Sequence, residues 1–147
     1  MANKVKPIPD GYHTITPYLT VPAVARLIDF LKLAFDAVEI ERMQRPDGTV
    51  HHAEVKIGDS IVMMGEPPDP TKANPGALYL YVSDVDTAYR RAMEAGALSL
   101  SEPADMFYGD RGAGVKDASG NTWWLATHIE DVSKEELGRR AAAVKRA

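Results

Sequence analysis

His52 and Glu54, separated by one alanine, are the first residues along the chain whose types and spacing could do chemistry. In an extended strand, side chains two apart share a face, so this imidazole and carboxylate point the same way. Such a pair serves as a general base with its orienting carboxylate, or as two metal ligands, or it is a solvated pair on an open strand. His51 faces the other side. A second segment, Phe107-Tyr108-Gly109-Asp110-Arg111, sets two aromatic rings, a glycine and an opposed charge pair in a loop or strand start, where binding residues concentrate. Arg111 stays charged and can donate two parallel hydrogen bonds to a carboxylate, phosphonate or enolate oxygen pair. It is expected either to face a cleft as the main anionic-group contact or to brace the loop against Asp110 or Glu102. His13 and His128 flank the strand pattern; they are expected either to be structural or surface residues or to approach each other across a dimer or between the repeated units.

The elements that must position these residues follow from periodicity. Residues 15–21 alternate, with Leu19 and Val21 on one side and Thr16, Tyr18 and Thr20 on the other. A helix is expected over 23–34, then strands over 38–45, 50–57 and 60–65. Residues 67–76 hold four prolines and form a linker. The pattern then restarts: strand 77–82, helix 85–95, strands 98–101, 114–116 and 121–127. Residues 133–146 form a polar helix, with Ser133 and Glu136 spaced as a capping box. Of Met63 and Met64, one is expected in the core and the other on the open face.

The halves align on themselves. At an offset of 61 residues, Val21 meets Val82 and Val24 meets Val85; at 62, Gly58 meets Gly120, Ile61 meets Trp123 and Met63 meets Leu125. A strand–helix–strand–strand–strand unit is therefore written twice, with a one-residue slip before the last hairpin. On one sheet face, alternation collects Thr16, Tyr18, Tyr79, Tyr81 and Trp124, with His52, Glu54 and Lys56. Aromatic bodies with polar tips suit a flat, partly polar ligand, although they can equally fill a cleft or an interface.

Composition limits the function classes. The 147 residues include no cysteine, which excludes disulfides, thiolate metal sites and a cysteine nucleophile, and is compatible with the cytoplasm expected for this chain. The net charge is −4, and the basic residues cluster only weakly, at Arg139-Arg140 and Lys145-Arg146, so no nucleic acid partner is expected. No apolar run is long enough for a membrane span, and the first residues lack the apolar core of a secretory leader. Gly109, Gly112 and Gly114 precede neither a GKS/T sequence nor a predicted helix, and no GxSxG elbow is present.

The ordered series resembles the vicinal oxygen chelate superfamily of glyoxalases, bleomycin-resistance proteins and extradiol dioxygenases, in particular its PhnB-like branch. It comprises Tyr12-His13-Thr14-Ile15-Thr16-Pro17-Tyr18-Leu19 with Val21; Ile28-Asp29-Phe30 with Ala34-Phe35; His52-Ala53-Glu54 with Ile57-Gly58-Asp59-Ser60; Phe107 to Arg111; and Asp117 to Gly120 with Trp123 and Ala126-Thr127-His128. The resemblance implies an α+β fold of two tandem βαβββ modules, 12–66 and 77–132, forming a curved mixed sheet around a cleft. It also implies a homodimer, while the chain length is that of one domain over 1–147 and the residue pattern gives it a C-terminal helix over 133–147. Metal-using relatives take a histidine from a module's first strand and a glutamate from its last. The matched positions here are Thr16, Ala77 and Trp124, so no metal is expected there, and a divalent ion would need a rearranged site around His52 and Glu54. The leading expectation is a binding protein for a small aromatic or acidic molecule, with Thr16, Tyr18, Tyr79, Tyr81, Phe107, Tyr108, Arg111 and Trp124 as ligand contacts and no cofactor. The alternatives are a glyoxalase-, dioxygenase- or lyase-type enzyme, with His52 and Glu54 catalytic at a rearranged metal or by metal-free acid–base chemistry, and a structural dimer without ligand.

Overall fold

The computed structural model describes residues 4–144, so Lys145 and Arg146 of the weak basic tract lie outside the described residues. The chain divides into two compact units, residues 1–76 and 77–147. The first contains β1 (Tyr18–Thr20), α1 (Val24–Phe35), β2 (Val38–Gln44), β3 (Val50–Ile57) and β4 (Ser60–Gly65). The second contains β5 (Ala77–Tyr81), α2 (Val85–Glu94), β6 (Leu98–Asp105), β7 (Asp110–Lys116), β8 (Thr122–His128) and α3 (Lys134–Ala143). Each unit folds as βαβββ around its own four-stranded mixed sheet, ordered β1-β4-β3-β2 and β5-β8-β7-β6. The expected linker joins the first unit: Asn74 pairs with Thr20, and Pro70–Lys72 forms a short 3-10 turn. No helix among the described residues is long and apolar enough to cross a membrane.

Both units pack one sheet face under a helix. In α1, Val24, Leu27, Ile28, Leu31, Ala34 and Phe35 recur at helical spacing and are buried. The helix starts without a side-chain cap. Instead the Glu66 carboxylate accepts hydrogen bonds from Ala23 N at 3.1 Å and Val50 N at 2.6 Å, tying the helix start to β3. In α2, Asp84 caps by accepting from Thr87 N, and Val85, Ala88 and Ala92 are buried. The sheet residues on these covered faces include Leu19, Ala53, Val55 and Met64 in one unit and Ala113, Val115, Trp123 and Leu125 in the other, all buried.

The strand register corrects one part of the internal alignment. Tyr18 pairs with Met63, and Tyr79 pairs with Trp124. Met63 therefore corresponds to Trp124 rather than to Leu125, and the offset in the last strand is 61. An error of one residue matters because it turns a side chain to the opposite face. Met63 lies on the helix-free face with Tyr18, and Met64 is fully buried beneath α1.

Three elements differ by several residues from expectation, and one of them, β7, runs over Asp110–Lys116 where a strand was expected only over 114–116. β1 starts only at Tyr18, so Thr16 precedes the sheet, where its hydroxyl donates to His13 O at 3.1 Å. β6 continues through Pro103 to Asp105; as an edge strand with register shifts on both sides of Ser101, it tolerates a proline that a central strand would not.

Candidate functional site

On the helix-free face of the second unit, one row of cross-strand neighbours reads Tyr79, Trp124, Gly114 and Ser101. A Cβ on Gly114 would collide with the Trp124 ring, so glycine there lets the indole lie across β7. The next row contains Tyr81, Ala126, Gly112 and Ala104. Small residues thus leave a hollow above the middle of the sheet. It forms a cavity of about 480 Å³ whose walls include Tyr79, Tyr108, Trp124, Met106 and Ser101, with Glu102 the charged lining residue.

Beside this hollow lies a carboxylate that the residue pattern did not single out as a site. Asp110 is only 4% exposed. It accepts hydrogen bonds from the hydroxyls of Tyr79 at 2.7 Å and Tyr81 at 3.1 Å, and lies 2.8 Å from His128 Nδ1. His128 Nε2 lies 2.7 Å from Asp131, so the ring spans two acids. Burial pushes the Asp110 carboxyl up, but the hydrogen bonds from His128, Tyr79 and Tyr81 outweigh it and hold the group below the usual range. The bond to Asp110, then that to Asp131, raises the His128 imidazole above its ordinary value. Burial, followed by the bonds to Asp110 and Tyr108, raises the Tyr79 phenol. The result is a fixed carboxylate clamped by two phenols and an imidazole whose charged form these contacts favour. The pairing of Asp110 with His128 across β7 and β8 emerges only with the strand register, so the residue pattern alone could not find it.

Phe107 and Tyr108 sit in the β6–β7 turn as an edge-to-face pair with centroids 5.2 Å apart. Gly109 has φ +98°, and a Cβ there would strike the Glu130 carbonyl, so this turn requires glycine. Asp110 and Arg111 follow in β7 and point to opposite faces. Arg111 is bound at Nε and Nη2 to both oxygens of Asp86, at 2.8 and 3.0 Å, and at Nη1 to Asp105 at 3.0 Å. Asp86 lies in the first turn of α2, so Arg111 is on the helix-covered side, away from Tyr79 and Trp124. Its partners are Asp86 and Asp105, not the Asp110 or Glu102 expected for a bracing role.

The equivalent row in the first unit reads Tyr18, Met63, Glu54 and Glu41. Where the second unit has glycine and serine, this one has two carboxylates. Glu54 is 5% exposed, receives the Tyr12 hydroxyl, and lies 2.8 Å from His52 Nε2. Burial raises its carboxyl, while His52 and Tyr12 bring it back below the ordinary value. An ionised Glu54 only accepts, so Nε2 carries the proton and Nδ1 faces the Tyr18 hydroxyl 3.2 Å away. His51 lies 3.3 Å from Arg45, and His13 3.3 Å from Asp59 O. The structure therefore brings together Tyr79, Tyr81, Tyr108 and Trp124 in one unit and Tyr18, His52 and Glu54 in the other, and leaves Thr16 and Arg111 outside both groups.

A profile of the Glyoxalase/Bleomycin resistance protein/Dioxygenase superfamily matches residues 11–125. An uncharacterised protein of Mycobacterium bovis is 35% identical over 134 residues, covering 84% of this chain and 88% of the relative. Among solved structures, TioX from Micromonospora sp. ML1 superposes with a TM-score of 0.64 at 27% identity, over 80% of this chain and 98% of that one. TnmS3, an antibiotic binding protein from Streptomyces sp. CB03234, superposes with a TM-score of 0.63 at 21% identity, over 79% of this chain and 95% of that one. At that identity the likeness speaks to the fold alone.

Proposed function

This chain belongs to the Glyoxalase/Bleomycin resistance protein/Dioxygenase superfamily, and from that premise we propose that its second unit binds a planar aromatic molecule, neutral or cationic, stacked on Trp124. The observation that carries this reading is the hollow of about 480 Å³ floored by Gly112 and Ala113 and walled by Trp124, Tyr79, Tyr108 and Met106. Concave, mainly apolar sites with a few fixed polar groups are the usual form of small-molecule sites. Placement in the PhnB-like branch belongs to the same proposal, supported by His52-Ala53-Glu54 followed by Ile57-Gly58-Asp59-Ser60.

The charge of the ligand follows from its surroundings. Glu102 lines the hollow and Asp110 lies beneath the Tyr79 and Tyr81 hydroxyls, while no lysine or arginine lines it. Arg111, the anchor expected for an acid, is committed to Asp86 and Asp105. A planar acid would therefore meet the Glu102 carboxylate with no lysine or arginine lining the hollow, and the imidazole of His128 is already held between Asp110 and Asp131.

Metal-assisted chemistry at the positions matched to the family's ligands fits poorly. Ala77 has no donor atom, the Trp124 indole can only donate a proton, and Thr16 offers a hydroxyl already turned to His13 O. Binding is accordingly the reading, and no reaction is assigned. Self-association belongs to this proposal too. Apolar side chains are exposed on the edge strands, Val38 and Ile40 on β2 and Leu98 and Leu100 on β6, and sedimentation should give twice the 16.1 kDa chain mass.

The test is a fluorescence titration with proflavine, a planar cation, against anthracene-9-carboxylate, an anion of similar shape. Proflavine should bind more tightly. Trp124→Ala should weaken it about tenfold or more, since losing a stacked aromatic removes both buried area and about 0.5–1.5 kcal/mol of ring interaction. Equal affinity of wild type and Trp124→Ala would overturn the assignment.

A further inference from the structure

We propose that Glu41, His52 and Glu54 form a binding site for one divalent first-row transition ion on the helix-free face of the first unit. The ligand atoms of these residues all lie within 4.8 Å of one another, the only such trio of histidine and acidic side chains among the described residues. Donors to a common ion at about 2.1 Å can be at most about 4.2 Å apart, so an adjustment of under about 1 Å closes the site. The Glu41 side chain is exposed and can supply it, while Glu54 and His52 are already 2.8 Å apart.

The electrostatics call for a cation. Glu41 and Glu54 are direct cross-strand partners, and like charges placed opposite each other across a ladder are destabilising. Glu54 has two donors, Tyr12 and His52, and Glu41 has none among the described residues. The nearby bases do not fill the gap. Arg42 is turned to Glu39, and Lys56, two residues beyond Glu54 on the same face, pairs with neither acid.

The surroundings also suit an ion. An imidazole ligand needs its second nitrogen held by a partner that fixes the ring and its tautomer. Tyr18 stands 3.2 Å from His52 Nδ1, and its hydroxyl oxygen can accept a hydrogen bond from Nδ1–H once Nε2 gives its lone pair to a metal. Gly65 makes this possible, since a Cβ there would meet the Tyr18 hydroxyl and the His51 carbonyl. Tyr12 donates to one oxygen of Glu54 and leaves the other for the ion. One imidazole with two carboxylates, water completing the shell, suits Zn²⁺, Co²⁺ or Mn²⁺ better than Mg²⁺, which favours oxygen alone.

The experiment uses the full chain with Zn²⁺ in equilibrium dialysis and with Co²⁺ followed by its visible absorption. Wild type should take up one equivalent and prefer either ion to Mg²⁺. Glu41→Gln, on an exposed side chain with no partner to lose, should weaken binding at least tenfold. Tyr18→Phe should weaken it about 10–100-fold by releasing the imidazole. His52→Asn should abolish the Co²⁺ spectrum, while His13→Asn and His128→Asn retain it. No stoichiometric binding by wild type, or unchanged affinity in Glu41→Gln, would overturn the proposal. Should Glu54→Gln fail to fold, the Glu41 and Tyr18 variants still decide.

Discussion

His128 spans Asp110 and Asp131, and both contacts raise its pKa, so the charged ring is favoured in the folded chain. The sign of the pH effect follows from linkage. A pKa raised on folding stabilises the native state fully below the unfolded value near 6.5, and that contribution disappears as pH rises through the higher folded value. Asp110, whose pKa is lowered, contributes above its unfolded value and loses the contribution as pH falls through its folded one. His128→Gln should therefore lie furthest below wild type in stability on the acid side of pH 6.5, above the range where Asp110 protonates, and the gap should narrow towards pH 9. Urea midpoints of the two proteins across that range check this; a gap that widens with pH would contradict it. This network was hidden in the sequence. Asp110 looked like a partner for its neighbour Arg111, but adjacent strand residues face opposite ways, and its real partners lie 18, 29 and 31 positions away.

At the scale of elements, β3 and β4 were legible to the residue because β3 alternates in sequence, β4 is a compact apolar run, and Gly48, Gly58 and Gly65 punctuate the segment. β6 and β7 were harder. β6 contains a proline and irregular register, and β7 contains two glycines that erase the alternation. The turn after β7 shows what the alternation cannot. Asp117 is buried and accepts from Ser119 N, Asn121 N, Asn121 Nδ2 and the Trp123 indole at 2.8–3.0 Å. It fixes both the turn into β8 and the ring that fills the core under α2. Asp117→Ala removes this acceptor from all of them, and buried donors deprived of a partner cost about 1–3 kcal/mol each. We expect a loss of about 3 kcal/mol or more in urea unfolding, against less than about 0.5 kcal/mol for the exposed Asp131→Ala at pH 8.

Across the whole chain, one βαβββ plan is used twice with opposite outcomes on the helix-free face. The row Tyr18, Met63, Glu54, Glu41 is a filled polar cluster; its counterpart Tyr79, Trp124, Gly114, Ser101 is a hollow with an aromatic wall. The duplication and the aromatic face could be read from spacing, but the divergence required the register that sets Glu54 against Gly114. The central claim is that the hollow of the second unit holds a planar ligand against Trp124. Its most direct test is the pair of indole N–H signals in a ¹⁵N-labelled sample titrated with proflavine. Trp123 is 1% exposed and bonded to Asp117, so it serves as an internal control for Trp124, which is 40% exposed. The Trp124 signal should shift progressively to saturation while that of Trp123 moves little. Saturation of shifts elsewhere in the protein with the Trp124 signal unmoved would contradict the account.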